Sequence, residues 1–182
     1  MGAVPVFYTQ AILCGIGRAP SPPSSMWIPP PMGTLKMNTD VAIRANCLAI
    51  GVGVAIINSE GLLVAALAKQ LPGRFAPEVG EFLALREGLF FMKSGGLVVC
   101  CAEVDACNVA SRVIKPIYVF GGVTALVIQD IKALFREVGV SKCCAIPRLG
   151  NRVAHSLASL ALSSSEELCW HNVCLSDVFP CL

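Results

Sequence analysis

Charged and aromatic side chains are scarce in this 182-residue chain. Asp, Glu, Lys and Arg make up 14% of the residues, Phe, Trp and Tyr make up 7%, and the formal net charge is +2. No block of five or more Lys and Arg residues occurs, so any contact with nucleic-acid phosphates is expected to be weak and sensitive to salt. The hydrophobic content is 55%, yet no uninterrupted apolar run approaches the roughly 18 residues of a membrane span. We therefore expect no membrane partner.

No Cys-x-x-Cys pair is present among the ten cysteines, which argues against a zinc cage. The adjacent pairs at 100–101 and 143–144 instead lie inside apolar, strand-like runs. Cys169, His171 and Cys174 form a mixed cluster that lacks a fourth ligand. We interpret the cysteines as small, buried, reduced side chains of an intracellular protein, either cytoplasmic or nuclear.

Composition divides the chain into a lead-in, one domain and a tail. Residues 1–34 include a Pro- and Ser-rich stretch and are predicted to be a flexible N-terminal segment. The folded domain is predicted over 35–165, and 166–182 is interpreted as a C-terminal tail. A domain of this size can bury its own core, and we expect a monomer.

Hydrophobic periodicity predicts an α/β domain with the element order β-β-β-α-β-α-α-β-α. The predicted strands lie at 36–43, 48–57, 62–70, 97–104 and 141–146. The predicted helices lie at 77–93, 105–114, 123–138 and 151–163. Short connections make the first three strands an antiparallel meander, and the later crossovers add parallel strands. The pattern therefore predicts a mixed sheet with helices packed on it.

Three acidic residues lie where packing does not explain them. Asp40 is inside the first strand, Glu81 is on the apolar first helix, and Asp105 directly follows the most hydrophobic strand. Converging carboxylates repel one another by roughly 4 kcal/mol per pair at 4 Å and an effective dielectric of 20. They must then take up protons or bind a cation, and hard oxygen ligands suit Mg²⁺ or Mn²⁺. The three acids are therefore candidate metal ligands.

Each of these acids also has a simpler interpretation. Asp40 fits a solvated strand face, Glu81 fits a surface acid near a helix start, and Asp105 fits the N-cap of the next helix. Glu103 shares the strand parity of Asp105 and is either a decoy or an auxiliary acid. Asn151 is either the cap of the closing helix or a contact to nucleic acid.

Five segments, in order, resemble the ribonuclease H-like domains of plants, many of which are related to retroelement reverse transcriptases. They are WIPPPMGTLKMNTD at 27–40, GVGVAIINSEG at 51–61, EFLALREGL at 81–89, EVD at 103–105 and RLGNRVAHSLA at 148–158. The resemblance extends over about residues 27–170 and is carried by the order and spacing of the segments together.

The resemblance implies a ribonuclease H-like fold with a five-stranded mixed sheet, in which Asp40, Glu81 and Asp105 hold two divalent ions, Mg²⁺ or Mn²⁺. It implies hydrolysis of the RNA strand of an RNA–DNA hybrid to leave a 5′-phosphate. His155 occupies the position of a fourth acid found in many active members. It is expected to shuttle a proton or to assist product release, with a packed or solvent-facing histidine as the alternative.

Two arginines and two departures from the family pattern complete the prediction. Arg148 and Arg152 flank Asn151 and are candidate phosphate contacts, or part of a solvated face. Val41 replaces a glycine that usually follows the first acid, and Phe82 replaces a small residue. A nucleic-acid-binding relative that has lost catalysis therefore stays an alternative, as does a protein-interaction module.

Overall fold

The structure, a computed structural model, describes residues 27–115 and 122–171. Six strands lie within these ranges: β1 (Leu35–Ile43), β2 (Ala49–Asn58), β3 (Leu63–Pro72), β4 (Cys101–Val104), β5 (Cys143–Ala145) and β6 (Leu168–His171). Four α-helices also lie there: α1 (Pro77–Ser94), α2 (Cys107–Ile114), α3 (Val123–Val138) and α4 (Arg152–Ala161). A 3₁₀ turn, Arg148–Asn151, leads directly into α4.

The strands form one mixed sheet in the order β5-β4-β1-β2-β3-β6. β1, β2, β3 and β6 pair antiparallel, whereas β4 and β5 run parallel to β1. The predicted mixed sheet of the α/β domain is therefore confirmed. Its central strand, β1, brings Asp40 opposite Gly53 of β2.

Helices cover both faces of the sheet. Gly88 of α1 lies against the side chains of Met37 and Thr39, and α3 packs alongside α1. α4 covers the opposite face, to which the alternating residues Asn38 and Asp40 belong. A large core fills the first side, and a smaller cluster of apolar residues lies beneath α4. Because both faces are covered, β1 is buried through its centre.

The close approach of α4 to β2 depends on two glycines. A Cβ atom at Gly51 or Gly53 would overlap the backbone carbonyl oxygens of Ala158 or Ala154 on α4. The Gly-Val-Gly segment of β2 therefore provides a groove into which the α4 backbone fits. This contact brings the start of α4 close to Asp40.

Two differences from the predicted elements reflect strand pairing. β4 begins at Cys101 rather than at residue 97, because pairing with β1 starts only where Cys101 comes opposite Lys36. The five predicted strands are joined by a sixth, β6, which lies on β3 in a region interpreted as tail. Most of the predicted lead-in (1–26) and of the tail (172–182) lies outside the described residues.

The cysteines of the described ranges are free thiols. Cys101 and Cys143 are buried as predicted, but the prediction is wrong for Cys107, Cys144 and Cys169, which are exposed. Cys174, the last member of the predicted mixed cluster, lies outside the described ranges. Within those ranges no helix combines the length and the apolar character that a membrane crossing requires.

Candidate active site

Three structural elements bring the predicted acids together. Asp40 comes from β1, Glu81 from the first turns of α1, and Asp105 directly follows β4. One carboxylate oxygen from each of the three lies within 4.8 Å of the other two. Among the described residues, this is the one group of three or more His, Cys, Asp and Glu side chains spaced to hold a metal ion.

The simpler interpretations of the acids do not fit their surroundings. Asp40 is only 3% exposed, so it is not a solvated acid on an open strand face. α2 begins at Cys107 with Ala106 at its N-cap position, so Asp105 does not cap that helix. Glu81 lies on the apolar helix α1 and is half-buried rather than on an open surface. The carboxylates are therefore held at one point by the fold.

Glu81 lacks a polar partner inside the cluster. Its Oε2 atom is buried and has no hydrogen-bond partner among the described residues. Burial, together with the charges of Asp40 and Asp105, raises the pKa of Glu81 to about 8, while the nearby Arg148 opposes the rise. A buried oxygen without a partner is unfavourable, and binding of a proton or a cation relieves the conflict.

Asp40 has one strong partner, His155 of α4. The His155 Nδ1 and Asp40 Oδ2 atoms are 2.7 Å apart. Burial and the charge of Asp105 raise the pKa of Asp40, whereas the hydrogen bonds from His155 and from the Val41 backbone oppose the rise. His155 therefore lies beside the cluster, with its side chain 40% exposed to solvent.

The donor set fits a hard divalent cation. Carboxylate oxygens are the preferred ligands of Mg²⁺ and Mn²⁺, and the cluster contains no sulfur atom. A bound cation would also satisfy the unpaired Glu81 Oε2. Asp40, Glu81 and Asp105 are therefore the residues that would hold metal ions in this chain.

The raised pKa of Glu81 gives a prediction for the metal-free protein. Folded Glu81 keeps a proton that the unfolded chain releases near its ordinary value of 4.5. Its contribution to stability is therefore complete below that pH and is lost as the pH rises through about 8. The free energy of unfolding is expected to fall by at most about 1.4 kcal/mol per pH unit in this window. Glu81→Gln should flatten the fall.

Urea unfolding in a chelator at several pH values between about 5 and 8 measures this slope. Glu78→Gln is the matched control, because Glu78 lies on the same helix but is exposed and paired with Arg112 at 2.9 Å. Equal slopes for wild type and Glu81→Gln would contradict the assignment of the proton to Glu81.

Glu103 does not belong to the cluster. Its Oε1 atom pairs with the Lys36 Nζ at 2.6 Å, and its Oε2 atom accepts a hydrogen bond of 2.6 Å from the Trp27 indole N–H. Both carboxylate oxygens are therefore occupied within the described part of the fold. The auxiliary-acid interpretation of Glu103 is not supported by this pairing.

Asn151 takes neither of its predicted roles through its side chain. It occupies the N-cap position of α4 but makes no capping hydrogen bond, and it is only 1% exposed. Its Nδ2 instead donates to the Thr39 carbonyl oxygen at 2.9 Å, and its Oδ1 accepts from Asn38 at 3.4 Å. Burial excludes direct contact with nucleic acid, so Asn151 joins the start of α4 to β1 next to Asp40.

Arg148 and Arg152 are exposed at the start of α4. Arg148 is close enough to Glu81 for its charge to lower that residue's pKa, so it lies at the rim of the cluster. Arg152 begins α4 itself. Both side chains can reach a polyanion in solvent, as a phosphate contact requires.

The two departures from the family pattern are absorbed by packing. Val41 lies against Gly80 of α1, where the absence of a side chain leaves room for its methyl groups. Phe82 is fully buried, and the Arg112 guanidinium lies 5.2 Å from its ring centroid. Neither residue removes a carboxylate from the cluster.

Sequence reasoning missed two residues that bind Glu103, the buried acid two positions before Asp105. In the sequence, Trp27 and Lys36 stand out only as members of the segment at 27–40, yet both bind Glu103. Both residues precede Asp40 in the same segment, which is the one sign of them in the sequence. Their shared partner, Glu103, lies 76 and 67 residues further along the chain, so the sequence does not connect them.

Comparison with known proteins agrees with this architecture. The profile of the reverse transcriptase-like family matches residues 38–161. RNase H1 from the halophilic archaeon Halobacterium salinarum is 22% identical with a TM-score of 0.62, and the match covers 72% of this chain and 98% of that one. LC11-RNase H1, isolated from compost, was solved in complex with an RNA/DNA hybrid. In that complex the protein shares 20% sequence identity with this chain, with a TM-score of 0.63, and the match covers 71% of this chain and 97% of that one.

A third similar structure is the N-terminal RNase H domain of a Mycobacterium tuberculosis protein. It is 18% identical with a TM-score of 0.58, and the match covers 73% of this chain and 99% of that domain. No curated protein matches the chain significantly. The structural likenesses confirm the predicted RNase H-like fold.

Proposed function

The chain belongs to the reverse transcriptase-like family of RNase H-like domains, and we propose that it is a metal-dependent endonuclease that hydrolyses the RNA strand of RNA–DNA hybrids. The observation that carries the proposal is the convergence of Asp40, Glu81 and Asp105 within 4.8 Å, with an unpaired Glu81 oxygen among them. The hybrid bound by the similar LC11-RNase H1 supports the choice of substrate.

The cofactor in this proposal is a pair of Mg²⁺ or Mn²⁺ ions held by the three carboxylates. When bound, such ions supply Lewis acidity toward a phosphodiester and lower the pKa of water. The chain's own contribution begins with Glu81, which must release its proton before its oxygens can act as ligands. Metal affinity should therefore rise with pH up to about 8.

His155 holds Asp40 in place and is suited to proton exchange. Its Nδ1 is 2.7 Å from Asp40 Oδ2, which fixes the orientation of that carboxylate. The side chain is 40% exposed, so the ring can exchange a proton with solvent. A neutral imidazole is a poor ligand for Mg²⁺, so we assign His155 to orientation and proton transfer rather than to metal binding.

Substrate binding in this proposal uses the rim at the start of α4. Arg148 and Arg152 are exposed there, and Arg148 is near Glu81. A phosphate placed between Arg148 and a metal-loaded cluster would have cations on two sides. Because few basic residues are available, binding should be weak and should be strongest at low salt.

The sequence resemblance alone supports a relationship to plant and retroelement-derived domains. The proposed domain at 35–165, the monomeric state and the intracellular location rest instead on the composition, the length and the cysteines of the chain.

A cleavage assay tests the proposed function. A hybrid labelled on the RNA strand is incubated with the full chain at low salt, in Mg²⁺ and in Mn²⁺, beside single-stranded RNA, duplex RNA and duplex DNA. Cleavage of the hybrid RNA alone, with 5′-phosphate products and full inhibition by chelator, is expected. Salt-sensitive binding of the hybrid without cleavage would instead identify a non-catalytic nucleic-acid-binding domain.

A further inference from the structure

Glu103 is the centre of a buried network behind the carboxylate cluster. Only 3% of the residue is exposed, and its two oxygens bind the Trp27 indole N–H and the Lys36 ammonium, each at 2.6 Å. The Lys36 Nζ also donates to the Ile28 carbonyl oxygen at 2.8 Å and lies 5.6 Å from the Trp27 ring centroid. Charge-assisted hydrogen bonds of this kind are stronger than neutral ones and fix the geometry of both partners. The chain at Trp27 is therefore fastened to β1 and β4.

Trp27 also packs against the 3₁₀ turn that precedes α4. A Cβ atom added to Gly150 would lie 3.0 Å from the Trp27 Cβ and 3.3 Å from its Cδ1. The turn is closed by a hydrogen bond of 2.8 Å from the Gly150 N–H to the Pro147 carbonyl oxygen. Trp27 thus lies directly on the backbone of this turn.

The same turn carries groups that reach the cluster. Arg148 begins the turn, three residues before Asn151. Asn151 ends the turn and binds the Thr39 carbonyl oxygen at 2.9 Å, immediately before Asp40. The turn is therefore fixed from two sides, by Trp27 and by β1.

We propose that Trp27, Lys36 and Glu103 form a clamp that positions the turn at 148–151, and with it Arg148, beside the carboxylate cluster. The three are positioning residues, because none of them belongs to the group of carboxylates spaced to hold a metal ion. This inference rests on the proposed function for its consequence, which is that the clamp sets the affinity for the nucleic-acid backbone. It extends the functional domain to Trp27, ahead of the predicted boundary at residue 35.

The pairing of Glu103 explains why this acid is held apart from the metal ligands. The Lys36 ammonium already compensates the charge of this carboxylate and the Trp27 N–H binds its other oxygen, and Glu103 is not among the carboxylates spaced to hold a metal ion. Its position two residues before Asp105, on the strand that leads to the cluster, makes it a rigid anchor point. An anchor of this kind restricts the motion of the turn without contributing a charge to the site.

Hydrogen exchange tests the clamp without reference to activity. Trp27→Phe removes the indole N–H and keeps most of the ring packing on Gly150. The matched control is Trp170→Phe on β6, since Trp170 is the chain's other tryptophan and is also half-buried. Exchange of the amides at 148–152 should accelerate by about tenfold in Trp27→Phe and by less than about twofold in Trp170→Phe.

A double-mutant cycle tests what the clamp does. Hybrid affinity is measured in chelator, so that the RNA stays intact, for Trp27→Phe, Arg148→Gln and the double variant. Each single change should weaken binding by about fivefold, and the double variant should be no weaker than Arg148→Gln by more than about twofold. Trp170→Phe combined with Arg148→Gln should show only the effect of Arg148→Gln. If Trp27→Phe weakened binding only through a general structural defect, its loss of affinity would multiply with the loss caused by Arg148→Gln.

The outcomes are separable. Unchanged exchange at 148–152 in Trp27→Phe overturns the clamp, and multiplicative losses in the cycle overturn its positioning role. Accelerated exchange in a chain that neither binds nor cuts the hybrid supports the clamp and overturns the proposed function.

If Trp27→Phe does not fold, Glu103→Gln replaces it, because the amide oxygen still accepts the Trp27 hydrogen bond while the charge on Lys36 loses its partner. A smaller but measurable acceleration is then expected, and none would overturn the clamp.

Discussion

Asp40→Asn is expected to lower hybrid cleavage by about 10³-fold or more while making the metal-free protein more stable. Activity falls because a carboxylate that would bind the metal ions is replaced by a neutral amide. Stability rises because burial and the charge of Asp105 both disfavour ionised Asp40 in the absence of a cation. A gain of about 1 kcal/mol would raise the melting temperature by about 2–4 °C in a chain of this size.

Opposite effects on activity and stability distinguish a functional site from a structural one. Single-turnover cleavage and thermal unfolding in chelator measure the two effects on the same preparation. Glu78→Gln is the control, because it neutralises an exposed acid of α1 whose surface ion pair contributes little. If Asp40→Asn lost stability and activity together, Asp40 would be a structural residue and the proposed role would be wrong.

Gly53→Ala is expected to destabilise the fold by about 3 kcal/mol or more. The new Cβ atom would overlap the Ala154 carbonyl oxygen and meet the backbone of Leu157 and Ala158, which cannot move as a flexible side chain can. α4 would have to withdraw from β2. That withdrawal would separate His155 from Asp40, so residual folded protein should also cut the hybrid more slowly.

Gly95→Ala provides the matched control for this change. Gly95 ends α1 with a φ of −84°, which any residue adopts, and a Cβ there meets neighbours only at 3.4 Å or more. Its free energy of unfolding should change by less than about 1 kcal/mol. Equal losses for the two variants in urea unfolding would show that Gly53 matters only through backbone entropy, and that α4 does not need the close approach.

Much of the fold was accessible from local patterns. The alternation of β1, the apolar run of β2 and the helix that starts at Pro77 depend on neighbours in sequence, so their limits agree with the structure to within two residues. The three acids could also be chosen from sequence, because each interrupts an apolar element. Their convergence was implied by the resemblance to ribonuclease H-like domains, because no local pattern connects a strand, a helix and the end of a second strand.

The parts of the fold and the site that sequence reasoning did not predict depend on contacts between residues far apart in the chain. β6 is only four residues long and gains its pairing from β3, so no periodicity of its own identifies it. Glu103 looks like Asp105 in sequence and differs only in its partners, Trp27 and Lys36. Asn151 has the position of a helix cap, but its side chain is drawn to the Thr39 carbonyl oxygen because that acceptor lies buried beneath the turn.

Titration of the full chain with Mn²⁺ tests the central claim most directly. Wild type and Asp105→Asn are compared by calorimetry and by thermal shift, at about pH 6 and about pH 8. We predict saturable binding by wild type that tightens with pH and raises the melting temperature. A stabilisation of about 2.7 kcal/mol is expected at 100 times the dissociation constant, with little response in Asp105→Asn. Binding of equal strength in both proteins, or none in either, would contradict a metal site built from Asp40, Glu81 and Asp105.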